Sequence, residues 1–197
     1  MQTLDEILFA NVNVTGTVLG FLFTNVARSP LLQDRLLAEA KAAGDDQAYF
    51  ARQDTLLHYT TLESLRVSPS VHFSLPELTG ADKKIDGFAV PAGTPVIVDI
   101  RRLNTDSVLW APDPESFRPD RFKKMSATSY RHGMLRFGVG TGRCLGRHLA
   151  DRILKMATVQ VLKTFELKES SIANKEGNKA GFTIGHESKI ELVKRQP

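Results

Sequence analysis

The chain has 197 residues, 42% of them hydrophobic and 24% charged, a globular composition that excludes disorder and supports one substantial core or two small ones. Its single cysteine excludes an internal disulfide and fits a reducing environment. The formal net charge of +4 is spread along the chain rather than gathered in a tract, which gives no support to nucleic-acid binding.

The N-terminus opens with Asp5 and Glu6 and has no basic n-region, unlike a secretory signal. An uncharged run from Ile7 to Ala27 has the length of a membrane span, but Asn11, Asn13 and Asn25, with threonines and glycines between them, are costly in a lipid-facing helix. The run is predicted instead as a long helix over 4–28, buried in protein. Ser29 reads as the N-cap and Pro30 as the first-turn residue of a second helix, "LLQDRLLAEAKAAG", stopping at Gly44. A third helix is predicted in "RQDTLLHYTTLESLRVSP", with Leu56, Leu57, Tyr59, Leu62 and Leu65 at helical spacings and Pro69 at its end. Next, "KIDGFAVPAGTPVIVDIRRL" predicts two short strands around "PAGT", with Pro91 and Gly93 supplying the turn. "NTDSVLWAPDPESFRPDRF" reads as ordered but irregular, its prolines alternating with Trp110, Phe117 and Phe122. A last helix is predicted after Cys144, through "LGRHLADRILKMATVQVLKTF". The tail "KAGFTIGHESKIELVKR" suggests a glycine-turned hairpin and a final strand. There is no repeat and no low-complexity segment.

The cysteine lies in "FGVGTGRCLG", residues 137–146, between a glycine-rich loop and a helix start. Amides at a helix N-terminus favour a thiolate, which could be a nucleophile, a redox sensor or a metal ligand. His132 and His148 are near in sequence, yet the flanks match no protease or thiol-oxidoreductase signature. Zinc would need further cysteines or suitably spaced histidines. A metal whose other ligands are not protein remains, and haem is the obvious one.

The loop resembles the cysteine-ligand loop of the cytochrome P-450 family, F-x-x-G-x-R-x-C-x-G, with Phe137, Gly140, Cys144 and Gly146 in register. Two further motifs follow the family's order: "ESLR" matches its E-x-x-R helix at Glu63 and Arg66, and "FRPDRF" matches its meander segment at Arg121. "LFANVNVTGTVLGFLFTNVARSP" sits where the family has its oxygen-activating helix. The resemblance implies a mainly α fold with small β-sheets (α+β), the C-terminal half of the cytochrome P-450 fold, with residues 1–197 as a partial domain lacking the N-terminal half. It implies Cys144 as the axial ligand of haem iron, and glycines at 138, 140 and 142 that let the backbone approach the porphyrin and point amides at the sulfur. It further implies that Phe137 shields the ligand and that Glu63, Arg66 and Arg121 form a buried ion-pair network under the haem.

The same resemblance marks departures. The family's arginine two positions before the cysteine is Gly142 here, and Arg143 is the nearest substitute for a haem-propionate contact. Its acid and alcohol on the oxygen-activating helix align with Asn13 and Val14, with Thr15 next along, so Asn13 and Thr15 are the candidates near oxygen. By family position, residues 69–74 and 181–185 border the substrate. The expected reaction is that of a fungal-type microsomal, haem-thiolate monooxygenase of secondary metabolism. It inserts one atom of dioxygen into a small apolar organic substrate, with electrons from an NADPH-dependent flavoprotein reductase. A full-length relative would be anchored in the endoplasmic reticulum, and this chain alone would be soluble or loosely membrane-associated. The alternative is a truncated, non-catalytic remnant that retains no haem.

Without the resemblance, several of these residues read more plainly. Glu63 and Arg66 at i, i+3 would be a surface helix pair, and Asn13 and Thr15 satisfied polar groups in a buried helix. Trp110 and His132 read as structural or surface residues. The six basic residues between Arg131 and Lys155 form either a solvated face or one receiving haem carboxylates and an acidic electron donor.

Overall fold

β-Branched and asparagine side chains crowd the start of the first helix, and they are indifferent helix formers. In the computed structural model, which describes residues 10–106, 108–170 and 189–196, that stretch is a π-helical turn, Ala10–Val14. It leads into α1, Thr15–Ala27. The regular helix expected from residue 4 is thus replaced at residues 10–14 by a wider turn, and residues 4–9 lie outside the described ones.

Helix α2, Pro30–Ala43, follows the expected bounds: the Ser29 side chain accepts from the Leu32 amide, and Gly44 closes the helix at φ 72°. A short helix absent from the sequence reading, α3 (Asp46–Ala51), is capped by Asp45, which accepts from the Gln47 and Ala48 amides. Helix α4, Leu56–Val67, begins four residues later than expected because Thr55 caps it, accepting from the His58 amide. Glu39 on α2 reinforces that start by accepting from the Leu56 and Leu57 amides at 2.8 and 3.1 Å and from Tyr49 Oη at 2.7 Å. Helix α5, Ile100–Thr105, occupies a stretch read as strand. The stretch read as ordered but irregular holds two 3₁₀ segments, Val108–Trp110 and Pro119–Lys124. Helix α6 is the single turn Ala127–Tyr130, and α7 is Arg147–Thr164.

The small strands pair differently from expectation. Strands β2 (Lys83–Ile85) and β3 (Phe88–Val90) form an antiparallel hairpin whose turn is Asp86-Gly87, at φ 48° and 86°. Positive φ at both central residues is the twist-compatible hairpin geometry. "PAGT" is a turn, but it leads from β3 to β4 (Pro95–Val96), which pairs with β1 (Glu77–Leu78) instead. That ribbon extends through the Phe73–Asp99 bridge. Strands β5 (Phe165–Glu169) and β6 (Ile190–Lys194) pair over five residues. The expected final strand is therefore present, and the hairpin turn before it lies outside the described residues.

Helices α1, α2, α4 and α7 pack around one core that includes Leu22, Val26, Leu36, Leu57, Leu62, Leu154 and Leu162. Buried polar groups are matched within it. Gln33 donates to the Leu167 carbonyl at 2.8 Å and accepts from the Leu167 amide at 3.0 Å, closing the edge of β5. Asn25 donates to Ser64 Oγ at 3.2 Å, joining α1 to α4. Among the described residues no helix is long and apolar enough to cross a membrane.

Candidate functional site

The cysteine loop is closed by its own backbone. The Cys144 amide donates to the Phe137 carbonyl at 2.7 Å, and the Arg143 amide to Gly140 at 3.4 Å. Gly138 and Gly140 take φ 68° and 59°, where L side chains are strained. At Gly138 a Cβ would also meet the Gly142 carbonyl oxygen at 2.7 Å. The fold of the loop thus requires glycine at 138 on two counts. Helix α7 starts three residues after the cysteine, with Gly146 at its N-cap position. Arg147 donates to the Cys144 carbonyl at 3.3 Å.

This closure leaves the Cys144 side chain exposed. Among the described residues neither the Cys144 nor the Arg143 amide is aimed at Sγ. The Cys144 and Arg143 amides turn inward to close the loop instead. Phe137 is half-buried against the core and carries the Arg136 guanidinium over its ring at 5.9 Å. Large apolar side chains stand exposed around the loop, Leu145 at 94% and Val139 at 65%. The adjoining β1–β4 ribbon adds Phe73, Leu75, Ile97 and Val98, all exposed.

Behind the loop lies the charged network. Ten of the twelve α4 residues are buried, so Glu63 and Arg66 are no surface pair. Both side chains are fully buried and make two 2.8 Å hydrogen bonds to each other. Glu63 Oε1 also accepts from Arg121 Nε and the Arg118 amide, each at 2.9 Å. Arg66 donates to the carbonyls of Asn104 (3.0 Å), Pro114 and Ser116 (3.3 Å), and its guanidinium lies 4.9 Å from the Trp110 ring centroid. Arg121 donates to the carbonyls of Trp110, Asp113 and Ser116.

The sequence reading missed how this network reaches the cysteine. Asn104, fully buried on α5, donates to the Leu135 carbonyl at 3.1 Å and accepts from the Leu135 amide at 2.8 Å. Trp110 Nε1 donates to the Gly133 carbonyl at 3.1 Å. A continuous path therefore runs from Glu63 and Arg66 through Asn104 to the strand of chain entering the loop at Phe137.

The remaining candidates are dispersed. Asn13 is exposed on the π turn and Thr15 half-buried at the start of α1. Such turns recur at functional sites; this one leads into α1 and packs on it. Gly146 caps α7, and Arg143 is exposed, close enough to Arg136 to repel it. Lys155 leaves the supposed basic face: it is fully buried, paired with Asp151 at 2.7 Å and donating to the carbonyls of Phe50 and Arg52. Residues 69–74 lead into the β1–β4 ribbon, whereas 181–185 lie outside the described residues.

Among the described residues no group of three His, Cys, Asp or Glu side chains is placed to hold a bare ion. One exposed sulfur on a glycine-shaped loop, bordered by apolar side chains, fits a metal that brings its other ligands in a planar apolar frame.

Comparison with known proteins gives the same direction. The cytochrome P450 family matches residues 1–191. The cytochrome P450 monooxygenase lepD of Aspergillus flavus is 39% identical over 98% of this chain and 39% of its own length. The cytochrome P450 monooxygenase opdB of Penicillium oxalicum is 41% identical over 93% of this chain and 38% of its own. A zebrafish cytochrome P450 solved with progesterone superposes with a TM-score of 0.77 at 25% identity, covering 96% of this chain and 44% of that one. The chain spans about two fifths of the length of these curated relatives.

Proposed function

We propose, from the premise that this chain belongs to the cytochrome P450 family, that residues 1–197 form the sulfur-bearing part of a haem-thiolate monooxygenase. The observation that carries the reading is the exposed Cys144 on a loop that only glycine at 138 permits, tied to the buried Glu63–Arg66–Asn104 path.

When bound, haem supplies the activation of dioxygen and insertion of one oxygen atom into a small apolar substrate, with electrons from NADPH through a flavoprotein reductase. Cys144 would hold the haem iron through its exposed sulfur. The hydrogen bonds from its amide to Phe137 and from Leu135 to Asn104 hold that sulfur at a fixed height, so that little ordering remains to be done on binding. Val139, Leu145 and Phe73 exclude water from the apolar frame. Phe137, Gly140, Arg143 and Gly146 shape the rest of the cradle. Asn13 and Thr15, which align with the family's oxygen-activating helix, would be the candidates for handling a proton near bound dioxygen, and the Thr15 hydroxyl suits a relay better because it both donates and accepts, whereas the Asn13 amide nitrogen only donates.

The test is reconstitution of the full chain with hemin, reduction, and exposure to carbon monoxide. A thiolate-type Soret band that disappears in Cys144→Ala supports the reading. Absence of the band in the unsubstituted chain, or its survival in the variant, overturns it.

A further inference from the structure

One acid stands at the rim of the sulfur loop. Glu77 lies on β1, paired across the ribbon with Val96, and a Cβ at residue 142 would lie only 2.9 Å from its Oε1. The carboxylate therefore occupies the space beside Gly142, two residues before the ligand. It is exposed, and among the described residues it has no ion-pair or hydrogen-bond partner for its side chain. Among the described residues no ion pair joins Glu77 to Arg143, the cation next along the loop.

Protohaem carries two carboxylates on one edge, and like charges at short range oppose each other unless a cation intervenes. On the reading of the loop as a porphyrin cradle, on which this inference rests, we propose that Glu77 is a specificity-determining residue for the porphyrin. It disfavours a porphyrin whose carboxylate edge faces Gly142, and so sets both the affinity and the orientation of the bound ring. Gly142 is the other half of the device. Its φ lies outside the left-handed region, so a side chain is conformationally allowed there, and among the described residues beyond its chain neighbours the one close atom is the end of the flexible Glu77. A cation placed at 142 would pair with Glu77 and remove the repulsion.

The experiment titrates the full chain with hemin and with hemin dimethyl ester, whose carboxylates are blocked, following quenching of the single tryptophan, Trp110. Unsubstituted chain, Glu77→Gln and Gly142→Arg are compared. The expected result is that each substitution tightens hemin binding by about tenfold, the size of one partly screened pair of like charges. The ester should change by less than about twofold, because it lacks the charges Glu77 meets. Equal changes for both porphyrins, no change for either, or no saturable binding by any of the three chains overturns the proposal. An acid-versus-ester contrast without a thiolate-type spectrum would keep Glu77 and discard Cys144 as ligand. A thiolate-type spectrum without the contrast would do the reverse.

Discussion

Glu63 anchors the buried charged network behind the cysteine loop. It is a buried carboxylate with two guanidinium partners and one amide partner, so removing its charge leaves Arg66 and Arg121 facing a neutral group in a dry site. Glu63→Gln should lower unfolding free energy by about 3 to 5 kcal/mol, the usual cost of orphaning a buried charge. A urea-midpoint shift worth only a few tenths of a kcal/mol, as for an exposed helix pair, would contradict the burial. Arg66→Lys should also be costly, because an ammonium cannot make the paired hydrogen bonds or lie over Trp110. The pairing of Glu63 with Arg66 and Arg121 was legible in the sequence because each sits in a short local motif. Asn104 and Trp110 were not, because their partners are backbone groups 31 and 23 residues away. Nothing in the spacing of a sequence announces a side chain that binds distant main chain.

Helix α2 was readable because a cap, a first-turn proline and a closing glycine fall together, whereas α3 and α5, capped by Asp45 and Asp99 alone, were missed, as was the β pairing. Ser29, Pro30 and Gly44 bound α2 as the local rules demand. The start of α4 was missed because it depends on Thr55 and on Glu39 from another helix. In the strands, "DG" and "PAGT" both signal turns, and which one joins paired strands is settled by the β1–β4 register, set across 18 residues between Glu77 and Val96. Two predictions belong to these elements. Gln33→Leu leaves the Leu167 amide and carbonyl at the buried edge of β5 unpaired, and chemical denaturation should show a loss of about 1 to 3 kcal/mol. Gly138→Ala should weaken hemin binding far more than Gly140→Ala, since both have positive φ but only the first places a Cβ against backbone; equal effects in a hemin titration would contradict that geometry.

For the molecule as a whole, the unexpected feature is a buried charged cluster joining α4 to α7. His58 is buried, its Nδ1 has no hydrogen-bond partner, and Asp151 Oδ1 is 3.8 Å away. Burial pushes the imidazole down to about 4 from its ordinary 6.5, with Lys155 and Arg136 adding to the effect and Asp151 and Asp54 opposing it. The unfolded chain takes up a proton near pH 6.5 that the folded chain refuses until about pH 4. Stability from this site is therefore complete above pH 6.5 and is lost as pH falls towards 4. Urea midpoints measured across that window should fall, and His58→Gln should flatten the fall.

Lys155 had been counted with a basic surface. Its inward turn shows why charge read along a sequence misplaces the surface: an i, i+4 partner and two carbonyls can hold a lysine in the core.

The central claim is that Cys144 presents a sulfur to iron, and iron-edge X-ray absorption of the hemin-loaded chain tests it most directly. One sulfur scatterer bound to iron, lost in Cys144→Ala although all four methionines remain, is the predicted result. An iron environment of nitrogen and oxygen alone, or a sulfur signal that survives the substitution, would contradict it.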